Sequence, residues 1–231
     1  MREIKLPYSE AKQRLFDAAE LLFAERGFDA VSVRDITHLA NANVAAINYH
    51  FGTRDGLIAL VVTRYLTPVN DERLARLENL DRRGSGKAVP VEEALDALVR
   101  PLLGAVRTSK LSEELLCRLL GRIFAMRGED LPLGIENQAR HVNDRFTRVL
   151  GKSLTALSPE ELAWRSHMMV GAMIHMLMHQ DMLQRLTHGA SGSLTMEASL
   201  SHFIRFAAAG LRDGVDLEPA VKKEPQALFD F

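Results

Sequence analysis

Apolar residues spaced three and four apart mark out helices along this chain, and the shortest of these helices carry the most information. In the stretch 32–56, SVRDITHLANANVAAINYHFGTRDG, residues Ile36, Leu39 and Ala40 place apolar groups on one helical face. Ser32 precedes Val33, with Asp35 three residues on, a pair able to form the capping box that starts a helix. Asn41 comes next, and after glycine Asn best tolerates the left-handed conformation of a sharp helix end. Asn43 is suited to cap the following helix. In that helix Ile47 and Phe51 point to the core and leave Val44, Ala45, Asn48, Tyr49 and His50 facing outward. Gly52 ends it, and Thr53 caps a third helix whose first turn holds Arg54 and Asp55. Two short helices around a tight turn, followed at once by a third, are the layout of a helix-turn-helix unit that sets one helix in a DNA major groove.

The helical rhythm continues downstream. A helix from Thr53 runs toward Leu66, and Pro68 should kink or break it before the polar continuation NDERLARLENL. Residues 81–90, DRRGSGKAVP, read as the clearest loop. From Val91 apolar positions recur at Leu95, Leu98, Val99, Leu102 and Val106, with a kink expected at Pro101. Leu115, Leu116, Leu119, Leu120 and Ile123 define the next helix, and GEDLPLG interrupts the pattern. A helix from about Ile135 shows Val142, Phe146, Val149 and Leu150. Ser158, Pro159 and Glu161 make a strong helix start, with Pro at the first helical position. That helix is expected to run to about Leu186, and a final one from about 195 to 212. The pattern gives an all-α chain with a helix-turn-helix domain at 1–56, a larger helical domain at 57–212, and a flexible tail at 213–231.

The outward face of the second short helix has suitable chemistry for DNA. Asn pairs bidentately with an adenine edge, and small apolar groups such as Val44 and Ala45 touch thymine methyls. Tyr49, His50, Thr53 and Arg54 suit phosphates, which fix register without reading sequence. Arg34 and Asn43 complete the expected contact set. Taken alone, the same polar helix also fits a solvated face of a bundle.

Charge pulls the other way. The net charge is −1, and residues 1–55 hold seven Lys and Arg against eight Asp and Glu. A generic polyanion binder is excluded, so binding has to rest on a local basic rim and specific contacts. The single cysteine, Cys117, allows no internal disulfide and lies in the apolar run LLCRLLGRIF, as a buried structural thiol does. MREIKLPYSE is too polar for a signal peptide, and MMVGAMIHMLM at 168–178 is too short to span a bilayer, which together suggest a cytoplasmic protein.

The segments LFDAAELLFAERGFDAVSVRDIT at 15–37 and NYHFGTRDGL at 48–57 resemble the TetR family of bacterial transcriptional regulators. Leu22, Phe23, Gly27, Phe28, Ser32, Val33, Ile36, Ala40, Tyr49, Phe51 and Leu57 occupy the positions that carry the resemblance. Asn41 departs from it, since the family usually has Gly there. The likeness implies a DNA-binding regulator, most often a repressor, that binds a palindromic operator as a homodimer through its last two long helices, about 159–186 and 195–212. It likewise implies that 57–212 is a ligand-binding and dimerisation domain. RLLGRIFAMRGEDLP at 118–132, LAWRSHMMVGAMIHML at 162–177 and FAAAGLR at 206–212 are similar to the PsrA-like branch. So is ANVAAINYHFGTRDGLIALVVTRYLTPVNDERL at 42–74. That branch implies a long-chain fatty acid or acyl-CoA as effector. No cofactor is implied.

An effector site is expected among the helices of 91–186. Leu98, Leu102, Leu119, Ile123, Phe146, Leu150, Met168, Met169, Ala172, Met173 and Met176 would supply its apolar walls, because methionines adapt to a bendable guest. Arg118, Arg122, Arg165 and His167 could meet a carboxylate. The same Met stripe also reads as plain core, and the effector as another hydrophobic compound. A different class of reading places a metal at His175 and His179, which lie i, i+4 on one helix. No Glu stands beside the first His as a metalloprotease needs, and no catalytic constellation occurs in the chain.

Overall fold

Leu15, Ala19, Leu22 and Phe23 recur three and four apart and are all buried, which is why residues Glu10–Arg26 form the first helix, α1, of the domain they seal. The structure, a computed structural model, describes residues 10–189 and 195–213. The expected tail from 214 onward lies outside the described residues. Among the described residues there are eleven α-helices, one short 3-10 turn at Gly128–Asp130 and no strand. After α1 come α2 (Val33–Leu39), α3 (Val44–Phe51), α4 (Arg54–Gly84), α5 (Val91–Val99) and α6 (Leu102–Thr108). Then follow α7 (Glu113–Phe124), α8 (Leu133–Ser153), α9 (Pro159–Met178), α10 (Gln180–Leu186) and α11 (Met196–Arg212).

α1, α2 and α3 pack on one another and on the start of α4. The larger bundle is built by α4 against α5 and α8, α7 against α9, and α11 against α5 and α9. α7 also packs on α1, so it joins the two halves. The apolar side chains form one core running through both, from Leu15 and Ile47 to Leu120 and Leu177.

α4 overturns the expected break. It runs unbroken through Pro68, with Pro68 on the solvent side. A proline inside a helix costs on the order of 3 kcal/mol through one lost hydrogen bond and a clash. Burying Leu66 and Val69 beside it gains about 1.5–3 kcal/mol per side chain, and Tyr65 is buried as well, so packing wins. The helix also takes in the first four residues of the expected loop. It ends at Gly84, with Ser85 in the left-handed conformation at φ 47. Asp81 stays helical because Lys152 of α8 holds it at 2.5 Å and Arg145 stands at 3.6 Å. The Lys152 bond holds the Asp81 carboxyl below the usual carboxylate range.

The Pro101 kink is present as the break between α5 and α6. The expected single helix from 159 to 186 is instead two, divided at His179 with φ −128 and ψ 35. No Gly or Pro marks the spot. The break falls where Met178 lies over Gly121 of α7 and Gln180 reaches the Cys117 sulfur at 3.4 Å. No helix is long and apolar enough to cross a membrane among the described residues.

Candidate nucleic-acid interface and effector cavity

Each cap read from the chain is made at the helix-turn-helix. The Ser32 amide donates to Asp35 Oδ2 at 2.8 Å and the Asp35 amide donates to Ser32 Oγ at 3.2 Å, closing the capping box of α2. These bonds, led by the Ser32 hydroxyl, hold the Asp35 carboxyl below its ordinary range. Asn41 adopts φ 47 in the turn. Asn43 Oδ1 accepts from the Ala45 amide at 2.9 Å, and Thr53 Oγ1 accepts from the Gly56 amide at 2.9 Å. Arg14 of α1 donates to the Ala40 carbonyl at 3.3 Å and pins the turn from behind.

α3 is sharply two-sided. Ile47 is fully buried, while Val44, Ala45, Asn48 and Tyr49 are exposed, Tyr49 at 85%. The Tyr49 and His50 rings meet edge to face at 4.8 Å between centroids, which holds the tyrosine out from the helix. Arg34, Asn43 and Thr53 are exposed around it and His50 is half-buried. Phe51 is half-buried, with Lys12 Nζ 5.8 Å from its ring.

Two residues sit where the sequence did not put them. Leu39 is 49% exposed beside the turn rather than on the core face, because the short α2 turns Ile36 and Ala40 inward and carries Leu39 round to solvent. Arg54, expected at a phosphate, is turned back into the protein. Its Nε donates to the Val31 carbonyl at 2.9 Å and its Nη2 to the Phe28 carbonyl, clamping the α1–α2 loop.

A second clamp joins the halves of the molecule. Gly27 closes α1 at φ +90, and a Cβ there would stand 2.2 Å from Arg122 Nη1. That close approach lets Arg122 of α7 donate to the Glu25 carbonyl at 3.1 Å. Two turns back along α1, Glu20 is buried, with Arg64 Nε of α4 3.4 Å from its carboxylate.

The larger domain encloses a cavity of about 540 Å³ between α4, α5, α7, α8 and α9. Of the expected wall residues, Leu98, Ile123, Phe146, Met169 and Met173 line it, and so does His167. Leu102, Leu119 and Leu150 are buried elsewhere in the core, Met168 is exposed, and Ala172 and Met176 are half-buried away from the cavity. None of the three expected arginines reaches it. Arg118 pairs with Glu114 at 2.7 Å, and Arg122 is committed to α1. Arg165 bonds Glu161 at 2.7 Å and the Gly210 carbonyl of α11 at 3.1 Å.

The polar groups that do face the cavity are Asn70 and Arg73 of α4, both buried. Sequence reasoning passed over them as part of a solvated polar continuation. The signal was present: Leu66, Asn70, Arg73 and Leu77 fall on one helical stripe, so two polar residues interrupt an apolar face.

Cys117 is buried without a disulfide, and burial pushes its thiol up to about 12. His175 and His179 stack at 4.8 Å between centroids on the exposed side of α9. Asp181 is taken by Arg185 at 2.9 Å, and the described residues contain no group of three His, Cys, Asp or Glu placed to hold a metal ion.

Comparison with known proteins agrees with this arrangement. The profile of bacterial regulatory proteins of the tetR family matches residues 15–61, and that of the tetracyclin repressor-like C-terminal domain matches residues 96–210. The HTH-type transcriptional repressor Rv3405c of Mycobacterium tuberculosis is 32% identical over 116 residues, 48% of this chain and 57% of that protein. The probable HTH-type transcriptional regulator YttP of Bacillus subtilis is 37% identical over 54 residues, 23% of this chain and 26% of that protein. The chain thus spans between about a quarter and somewhat over half of the length of these relatives.

Among solved structures, the fatty acid degradation regulator FadR from Bacillus halodurans superposes with a TM-score of 0.58 at 15% identity, over 90% of this chain and 99% of that one. The TetR family regulator PfmR from Thermus thermophilus gives 0.51 at 17% identity, over 86% and 97%. At such identities these likenesses speak for the fold alone. With both halves of the chain matched, a capped helix-turn-helix at one end and a helical bundle at the other, the chain belongs to the TetR family of bacterial regulatory proteins.

Proposed function

We propose that this protein is a ligand-responsive transcriptional repressor that binds a palindromic operator as a homodimer. The observation that carries the reading is the two-sided α3: Ile47 seals one face into the core while Val44, Ala45, Asn48 and Tyr49 stand exposed together on the other. Asn48 suits an adenine edge and Val44 and Ala45 suit thymine methyls. Arg34, Asn43, Tyr49, His50 and Thr53 surround that face and suit the backbone. Arg54 supports them from within by holding the α1–α2 loop.

Dimerisation through α9 and α11 is supported by apolar surface that a lone chain leaves wet. Trp164 and Met168 of α9 and Phe206 of α11 are each more than half exposed, although the two helices pack on one another. A two-fold axis there would place two α3 helices on successive major grooves, about 34–36 Å apart.

The effector is an apolar or amphipathic molecule held in the cavity, a long-chain fatty acid or acyl-CoA by likeness to the PsrA-like branch. α7 supports a route from cavity to DNA. Ile123 and Phe124 line the cavity, and the preceding Arg122 grips the end of α1. A ligand shifts the DNA-binding equilibrium only by its differential affinity for the two arrangements.

Selection of bound DNA from a random library should enrich a palindrome, and Asn48→Ala and Tyr49→Ala should each weaken binding to it in a mobility-shift titration. Failure to enrich any sequence would sink the regulator reading. If saturating oleate and oleoyl-CoA both leave operator affinity unchanged, the fatty-acid effector is wrong.

A further inference from the structure

Arg73 is a buried cation without a counter-charge. It is 6% exposed, and among the described residues no carboxylate lies within 4.0 Å of it. Its Nε donates to the Leu98 carbonyl at 2.7 Å and its Nη1 donates to Asn70 Oδ1 at 3.1 Å. Its Nη2 has no acceptor among the described residues. Asn70 is 2% exposed, and with its oxygen committed to Arg73 its amide Nδ2 is left buried and unpartnered. The Phe124 ring lies 5.3 Å from the guanidinium carbon, which supports the cation from one side without supplying a negative charge. Burial lowers Arg73 to about 10.

Both orphan donors belong to the cavity wall formed by α4. The rest of that wall is largely apolar, with Leu66, Ile123, Phe146, Met169 and Met173. The opposite side is a rim of exposed residues, Asn143 and Thr147 of α8 and Ala163 and His167 of α9. The cavity therefore has a buried cationic end, apolar sides and a mouth of mixed polarity, where Asn143, Thr147 and His167 stand among Pro159, Ala163 and Val170.

We propose that Arg73 and Asn70 form an anion-binding end of this cavity, and that its ligand is a monocarboxylic acid with an apolar body, bound head-first. The proposal rests on the reading of the cavity as an effector site. One carboxylate neutralises one guanidinium, and its two oxygens give acceptors to Arg73 Nη2 and Asn70 Nδ2 together. A phosphate dianion would leave a charge uncompensated among apolar groups, which such an interior opposes. An acyl-CoA presents a thioester where the cation stands and has no anion to offer there. The site selects the free acid.

Calorimetric titration of decanoate and palmitate, each against the alcohol of the same length, tests this on wild type, Arg73→Met and Arg73→Lys. The wild type should bind each acid roughly tenfold or more tighter than its alcohol, the worth of one charge-assisted hydrogen bond. Arg73→Met keeps the side-chain bulk and removes the buried charge, so it should fold and bind acid and alcohol of one length alike, losing the preference for acids. Arg73→Lys should keep part of that preference. The proposal is overturned if the wild type binds acid and alcohol alike, if it binds neither, or if Arg73→Met retains the preference. Release of operator DNA by an uncharged apolar ligand, with no preference for acids, would leave the regulator reading intact and remove this assignment alone.

Discussion

Glu20 makes a pH-dependent joint between the DNA-binding domain and the rest of the molecule. Its side chain is 2% exposed within α1 and faces Arg64 of α4 at 3.4 Å. Burial pushes its carboxyl from 4.5 to about 7, against the opposing pull of Arg64 and a hydrogen bond from Tyr65. A carboxyl that holds its proton more tightly in the folded chain than in the unfolded one stabilises the fold at low pH. The contribution is whole below about pH 4.5 and is lost as pH rises to about 7. At about 1.4 kcal/mol per pH unit, the loss across that window is on the order of 3 kcal/mol.

Glu20→Gln replaces the protonated acid with a neutral isostere that has no proton to lose. The variant should match the wild type near the bottom of the window and exceed its stability by up to about 3 kcal/mol above the top of it. Arg64, which is partly exposed, regains water in the variant and limits the offsetting loss. Urea unfolding followed by circular dichroism, wild type and variant in parallel at one protein concentration, reads the difference at each pH. A difference that stays flat with pH, or a variant that becomes the less stable partner as pH rises, would refute the assignment of the proton to Glu20.

Three further outcomes are expected. Ser32→Ala removes the cap of α2 and the hydroxyl partner of Asp35, and should cost about 1 kcal/mol in thermal or urea unfolding; no measurable loss would mean that the cap contributes nothing. Gly27→Ala places an L side chain at φ +90 against Arg122, and should destabilise by about 1–2 kcal/mol while weakening the response of operator binding to ligand. Met168→Glu with Phe206→Glu puts charge on both exposed apolar faces, and should shift light scattering toward the monomer and abolish tight operator binding; a dimer that persists would move the interface elsewhere.

Local structure was legible in the sequence wherever one side chain decides it. Ser32, Asn43, Thr53 and Ser158 cap helices as their chemistry dictates, and Asn41 takes the left-handed turn. What escaped the sequence depends on partners far along the chain. Pro68 stays helical because Tyr65, Leu66 and Val69 are buried around it, and Asp81 because Lys152 lies across from it. His179 breaks a helix whose local composition gives no warning. The same holds at the sites. The exposed face of α3 follows from its own periodicity, but the commitment of Arg54 to Val31, Arg122 to Glu25 and Arg165 to Gly210 required the fold. Arginine is common on surfaces, so three candidates near an apolar run looked alike, and the one facing the cavity lay in another segment.

The unbroken α4 gives the molecule a lever with unequal arms. At 1.5 Å of rise per residue, Pro68 stands about 7.5 Å along the axis from Arg73 at the cavity and about 21 Å from Arg54 beside α3. The proline removes the hydrogen bond to the Arg64 carbonyl, yet burial of Leu66 and Val69 keeps the helix continuous across it, so the two arms turn together. A rigid tilt about Pro68 moves the Arg54 end about three times as far as the Arg73 end. A displacement of a fraction of an ångström at the cavity wall thus becomes about three times as large where α4 meets α3.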